Sequence, residues 1–180
     1  PIADAVPVSD EPDKLVMHGC VRLDQISGRM VEQGVEGERV DAAMDQRPAG
    51  LDMPSDFPSL EGLLFPATYE IKPDQTADDM VAEMAQRTRV ELDDLGIADD
   101  EALEVMTLAS LVQIESPGDD EVRAKVARVF LNRLGDDSQT GGLLQSDATV
   151  AYIFGARGDL TTTAEERESD DPYNTYKFPG

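Results

Sequence analysis

Between Asp74 and Gly135 the chain is punctuated as three helices in succession, and this stretch does most to limit the fold. Thr76 with Asp79 three residues later is a variant of the capping box, opening a helix that Met80, Met84 and Arg87 continue toward Leu95-Gly96. Asp99 or Asp100 can cap the next helix, Glu101 to Glu115. Ser116-Pro117-Gly118 ends it, since the residue before a proline is pushed out of the α region. Asp119 or Asp120 caps a third, with Val122, Val126, Val129 and Phe130 on one face and a stop at Leu134-Gly135.

The flanks are more mixed. Residues 1–13 carry three prolines and read as an extended lead-in, the stub of a linker. Leu15-Val16-Met17 suits a short strand, and Leu23, Ile26, Met30 and Val31 give Val21 to Gln33 a helical spacing that Gly34 stops. Val35 to Met44 forms a second short helix, and the prolines between Arg47 and Pro58 mark a loop or boundary. Leu63 to Phe65 and Thr68 to Ile71 read as strands between Pro66 and Pro73. Beyond Gly135 come a glycine-rich turn, an amphipathic piece from Ala148 to Phe154 and a turn-rich tail. The fold class expected is α+β, dominated by helices in its middle.

Charge and composition exclude several functions. With 38 Asp+Glu against 15 Lys+Arg the formal net charge is −23, a surface that repels phosphate backbones, so nucleic acid is not an expected partner. Cys20 is the only cysteine and His18 the only histidine, which rules out an intrachain disulfide, a thiolate cluster and a His-rich metal site.

One residue stands out within the second helix. Counting back from Glu115 by threes and fours meets Val112 or Leu111 and then Leu108, so Glu115 lies on the apolar stripe near the helix C-terminus. A carboxylate there is expected to be partly desolvated and to face the negative end of the helix dipole. Both disfavour its charged form, as a general acid near neutral pH requires. The same position also suits a structural glutamate bonded to nearby backbone. Asp147, Asp171 and Glu61 are the carboxylates that could pair with it, but spacing does not bring them together.

Five segments together carry a resemblance. They are Leu60-Glu-Gly-Leu-Leu-Phe-Pro-Ala-Thr-Tyr69, Leu108-Ala-Ser-Leu-Val-Gln-Ile-Glu-Ser116, Val126-Ala-Arg-Val-Phe-Leu-Asn-Arg-Leu134, Leu144-Gln-Ser-Asp-Ala-Thr-Val150 and Tyr173-Asn-Thr-Tyr176. In order and spacing this set resembles the MltG (YceG-like) endolytic murein transglycosylases. The resemblance implies a helix-rich YceG-like catalytic domain over 58–180, cut short at its C-terminus, behind a small LysM-like subdomain over 14–47. It implies cleavage of the β-1,4 bond between N-acetylmuramic acid and N-acetylglucosamine in peptidoglycan strands, leaving a 1,6-anhydro end. One carboxylate then suffices: it protonates the leaving oxygen and next takes the proton of the attacking C6 hydroxyl.

The family usually shows two glutamates two residues apart in this helix, and here the first place is Gln113, so the catalytic role falls on Glu115. By the same resemblance Gln145, Ser146, Asp147, Thr149, Tyr173, Asn174 and Tyr176 line the cleft, and Glu61 serves as a site residue or a structural anchor; the amide of Asn174 could in addition orient Glu115 by a hydrogen bond. No metal or organic cofactor is implied. The implied setting is extracytoplasmic, on a membrane anchor that precedes this chain, in company with cell-wall synthases. Two rivals remain: an inactive glycan-binding or scaffold module, and a muramidase-type hydrolase using a second carboxylate such as Asp147.

Overall fold

The computed structural model describes residues 14–48, 51, 53–54, 56–72, 74–116, 118–155 and 161–180, so the expected linker stub, residues 1–13, lies outside the described residues. In chain order the elements are β1 (Lys14–Val16), α1 (Leu23–Glu32), α2 (Gly37–Gln46), β2 (Thr68–Glu70), α3 (Ala77–Asp94), α4 (Asp99–Glu115), α5 (Asp120–Leu134) and α6 (Asp147–Ile153), with a 3-10 turn at Glu166–Glu168. The helix-dominated α+β expectation holds. By internal contacts the chain divides into two compact units, one running to Met106 and the other from Thr107 to Gly180.

In the first unit the two strands pair antiparallel, with Leu15 opposite Tyr69. Both side chains are buried because alternate strand residues point to one face. Ile26 and Met30 of α1 and Val40, Ala43 and Met44 of α2 join them in one core with Leu60, Leu63, Met80, Val81 and Met84. The helices bury these residues because the i, i+3, i+4 spacing brings them onto one stripe.

The segment from Leu60 to Tyr69 fastens this core. Leu60 and Leu63 are fully buried. Glu61 Oε2 accepts the backbone N–H of Leu23 at 3.0 Å, satisfying a donor in the first turn of α1 that has no partner within the helix. Thr88 Oγ1 donates to the Leu63 carbonyl at 2.7 Å, the Phe65 N–H reaches the Met84 carbonyl at 3.2 Å, and Tyr69 OH donates to the Phe65 carbonyl at 2.6 Å. Leu63 to Phe65, expected as a strand, is instead a turn: its polar backbone is satisfied by α3 rather than by a neighbouring strand.

Thr76 caps α3 as its sequence predicts. Its Oγ1 accepts from the Asp79 N–H at 3.1 Å while Asp79 Oδ2 accepts from the Thr76 N–H at 2.9 Å. The Thr76 hydroxyl, with the backbone N–H, holds the Asp79 carboxyl below its ordinary value. The stability this bond contributes is therefore full above the unfolded carboxylate range and disappears as pH falls through the lowered folded value. Thr76→Ala should cost about 1 kcal/mol in urea unfolding at neutral pH, and the difference from the parent should shrink in acid. Arg89, mostly buried, donates to Asp93 on its own helix and to Asp99 at the start of α4.

The second unit has a smaller apolar core. Val112, Phe130 and Leu144 are buried, with Leu108, Leu111, Val126, Ala127 and Leu134 packed on them. Asp119 caps α5 by accepting from the Val122 N–H at 3.0 Å, and the helix stops at Leu134 before Gly135, both as expected. The predicted apolar face of α5 is only half used: Phe130 is buried, but Val122 and Val129 are 43% and 47% exposed. At Gly142, with φ +87°, a Cβ would stand 3.3 Å from Pro179, so a side chain there would meet both backbone strain and the tail. The Gly180 N–H bonds the Gly142 carbonyl at 3.1 Å, closing the tail onto this turn.

Candidate functional site

Glu115 ends α4, and the turn that places it is closed by the Ser116 N–H on the Val112 carbonyl at 3.0 Å. Stripe counting put the glutamate partly in the core, and the structure corrects this: Glu115 is exposed, because the packed face of α4 ends at Leu111 and Val112. It is nonetheless held. Ser146 Oγ donates to Glu115 Oε1 at 2.6 Å, within the range of a charge-assisted O–H···O bond.

Ser146 occupies the N-cap of α6, where a serine hydroxyl ordinarily accepts a backbone N–H of the first turn. Here it makes no such bond and serves the glutamate instead. A local capping preference has been set aside for a long-range contact, a pattern that marks functional positions. The serine is 3% exposed and its backbone is fixed, with its N–H on Thr175 Oγ1 at 3.2 Å. Gln145, itself exposed and at φ +51°, bonds the Thr175 carbonyl at 3.0 Å through its N–H. Thr149 Oγ1 lies 2.8 Å from both the Ser146 carbonyl and Thr175 Oγ1, behind the site rather than open to solvent.

Asp147 begins α6 and is committed to a second group of donors. Thr162 Oγ1 donates to its Oδ1, Tyr176 OH donates to the same oxygen at 3.0 Å, and Arg167 lies 3.5 Å from it. The Arg167 guanidinium also sits over the Tyr176 ring, 5.4 Å from its centre. Burial pushes the Tyr176 phenol up, and its bond to Asp147 adds to this, so the phenol remains a donor well above neutral pH.

Asn174 is fully buried, but it does not reach Glu115, contrary to expectation. Its Nδ2 donates to the carbonyls of Arg167 and Ser169, both at 2.8 Å, and its Oδ1 accepts from the Tyr176 N–H at 3.1 Å. It shapes the turn that presents Thr175 and Tyr176, and the contact with the glutamate falls to Ser146. Tyr173, by contrast, is 54% exposed. Glu61 belongs to the other unit, where it caps α1.

Sequence reasoning missed Thr175, Thr162 and Arg167. Thr175 had a signal, since it lies inside the Tyr-Asn-Thr-Tyr segment. Thr162 and Arg167 had none, because only the folded tail brings them to Asp147.

A family model described as the YceG-like family matches residues 5–180. The chain is 36% identical over 129 residues to an endolytic murein transglycosylase of Streptococcus pneumoniae, covering 67% of this chain and 22% of that one. It is 35% identical over 126 residues to an endolytic murein transglycosylase of Bacillus subtilis, covering 67% and 33%. A crystal structure of a YceG-like protein from Listeria monocytogenes matches with a TM-score of 0.75 at 30% identity, covering 93% of this chain and 60% of that one. The chain thus spans a third or less of the length of these curated relatives. On the match of nearly every residue to the family model, and on the shared fold, the chain belongs to the YceG-like family.

Proposed function

We propose that this chain is the catalytic part of an endolytic lytic transglycosylase that cuts peptidoglycan strands between N-acetylmuramic acid and N-acetylglucosamine. The single observation that carries the reading is the Ser146–Glu115 bond: an exposed carboxylate at a helix end, pinned by a buried hydroxyl that forgoes its own capping role. Support also comes from relatives that carry the name endolytic murein transglycosylase.

In this mechanism Ser146 occupies Oε1, so the transferable proton of Glu115 rides on Oε2. That proton passes to the glycosidic oxygen as the bond to the anomeric carbon breaks. The carboxylate then accepts the proton of the muramic acid C6 hydroxyl as its oxygen closes on the same carbon, and a 1,6-anhydro end results. No water enters the products. Asp147 is a poor second carboxylate, since its Oδ1 already takes two hydroxyls and faces Arg167. That weighs against a hydrolase, which needs a carboxylate available to activate water. Gln145, Thr149, Asn174 and Tyr176 serve as cleft and supporting residues, with Tyr173 offering an open ring.

The same reading places the protein outside the cytoplasm beside cell-wall synthases, trimming nascent strands, and held by a membrane anchor. Among the described residues no helix is long and apolar enough to cross a membrane. β1, α1 and α2 fall within 14–47, the stretch read as a LysM-like subdomain, while the strand that pairs with β1, β2 at Thr68–Glu70, lies beyond it.

Purified peptidoglycan digested with the chain and analysed by mass spectrometry should yield anhydro ends. Intact strands with retained binding would favour a glycan-binding module instead. Gln113, at the place where the family resemblance implies a first glutamate, is the feature that favours this second reading. If the parent is inert and Gln113→Glu cleaves, the acid belongs at 113 and not at 115. Ser146→Ala should lower kcat by roughly 10- to 100-fold, the worth of one charge-assisted hydrogen bond, and leave KM nearly unchanged.

A further inference from the structure

The chain has four tyrosines. Tyr69 is buried with its hydroxyl on Phe65, and Tyr176 is half-buried with its hydroxyl on Asp147. The other two, Tyr152 and Tyr173, are 39% and 54% exposed, yet their rings pair, with centroids 5.4 Å apart and planes inclined by 46°. An aromatic pair of this geometry is weakly favourable in itself, but leaving so much ring surface in water forgoes most of what burying it would contribute.

The position of the pair is informative. Tyr152 lies on α6, whose first residues carry Ser146 and Asp147, and Tyr173 precedes the Asn174-Thr175 turn that holds Ser146 in place. The two rings therefore join the same two segments that the Ser146–Thr175 bond joins. From Ser146 to Tyr152 the helix advances about 9 Å along its axis. Phe154, two residues on, is 41% exposed and continues the apolar surface beyond the rings.

We propose that Tyr152 and Tyr173 form a paired aromatic shelf that receives a sugar ring of the glycan strand away from the bond being cut. A pyranose offers an apolar C–H face on which the rings can stack. An N-acetylglucosamine unit is uncharged, so a chain of net charge −23 does not repel it. The shelf rests on the transglycosylase reading for its substrate and adds Tyr152 as a residue that sets affinity rather than chemistry.

The test uses the Glu115→Gln chain, so that strands stay intact, titrated separately with glycan strands stripped of peptide and with peptide-bearing strands. Binding is followed by calorimetry and by tyrosine emission, which is readable because the chain has no tryptophan. Tyr152→Ala should weaken binding by roughly tenfold and Tyr152→Phe by less than about twofold, with Tyr152→Ala lowering the thermal transition by a few degrees but still fully folded at the titration temperature and Tyr152→Phe unmoved. Unchanged affinity in Tyr152→Ala overturns the shelf, and equal losses in the Ala and Phe variants overturn ring stacking as its basis. A loss confined to peptide-bearing strands overturns the sugar as its occupant. If Glu115→Gln binds no strands at all, the transglycosylase reading and the shelf fall together, which separates that failure from failure of the shelf alone.

Discussion

Replacing Glu115 by Gln should lower strand cleavage by about 10³-fold or more, because one group would lose both its acid and its base roles. The fold should hardly respond. Glu115 is exposed, and the amide oxygen of glutamine can still accept the Ser146 hydroxyl, so the change in unfolding free energy should stay within about 0.5 kcal/mol. Glu115→Asp is the sharper companion. It keeps the charge but draws the carboxyl back by one methylene, away from both Ser146 and the substrate, and should recover little of the activity. A Gln variant that cleaves like the parent would remove Glu115 from the mechanism.

The largest effect on stability should come from Asn174→Ala. Two carbonyls and one N–H in the tail would lose their partner at a site with no access to water. With buried groups left unsatisfied, the loss should be about 3 kcal/mol, or roughly 6–12 °C in Tm. The second unit is especially sensitive because its apolar core is small and buried polar contacts do much of the joining. Asn174→Asp should not rescue it, since the replacement loses both amide donors and buries a charge. Thermal unfolding of the two variants against the parent checks this. Activity should fall along with stability, as the turn bearing Thr175 releases Ser146.

What could be read from the sequence follows from how local each interaction is. The Thr76–Asp79 box and the Asp119 cap involve residues three apart, and both form as read. Periodicity identified which face of α5 is apolar, but not how much core there was to cover it, and Val122 and Val129 remain exposed. Leu63 to Phe65 misled because a short apolar run suits a strand and a buried turn equally, and only α3 decides between them. The division between compact units falls within α4, where no glycine or proline marks it.

The site was partly legible. Glu115 and Ser146 were both named, but their contact crosses 31 positions and no spacing rule reaches that far. The stripe argument gave Glu115 a burial it does not have, and the expected contact between Asn174 and Glu115 does not form. Thr175 lies inside the Tyr-Asn-Thr-Tyr segment, but its hold on Ser146 emerges only once the tail is folded against α6.

The central claim is that one carboxylate, held by Ser146, cuts the strand without water. It is tested most directly by digesting purified peptidoglycan in ¹⁸O-labelled water, reducing the products at once and weighing the new ends. Anhydro ends free of label are the predicted result; reduced sugar ends carrying label would contradict it.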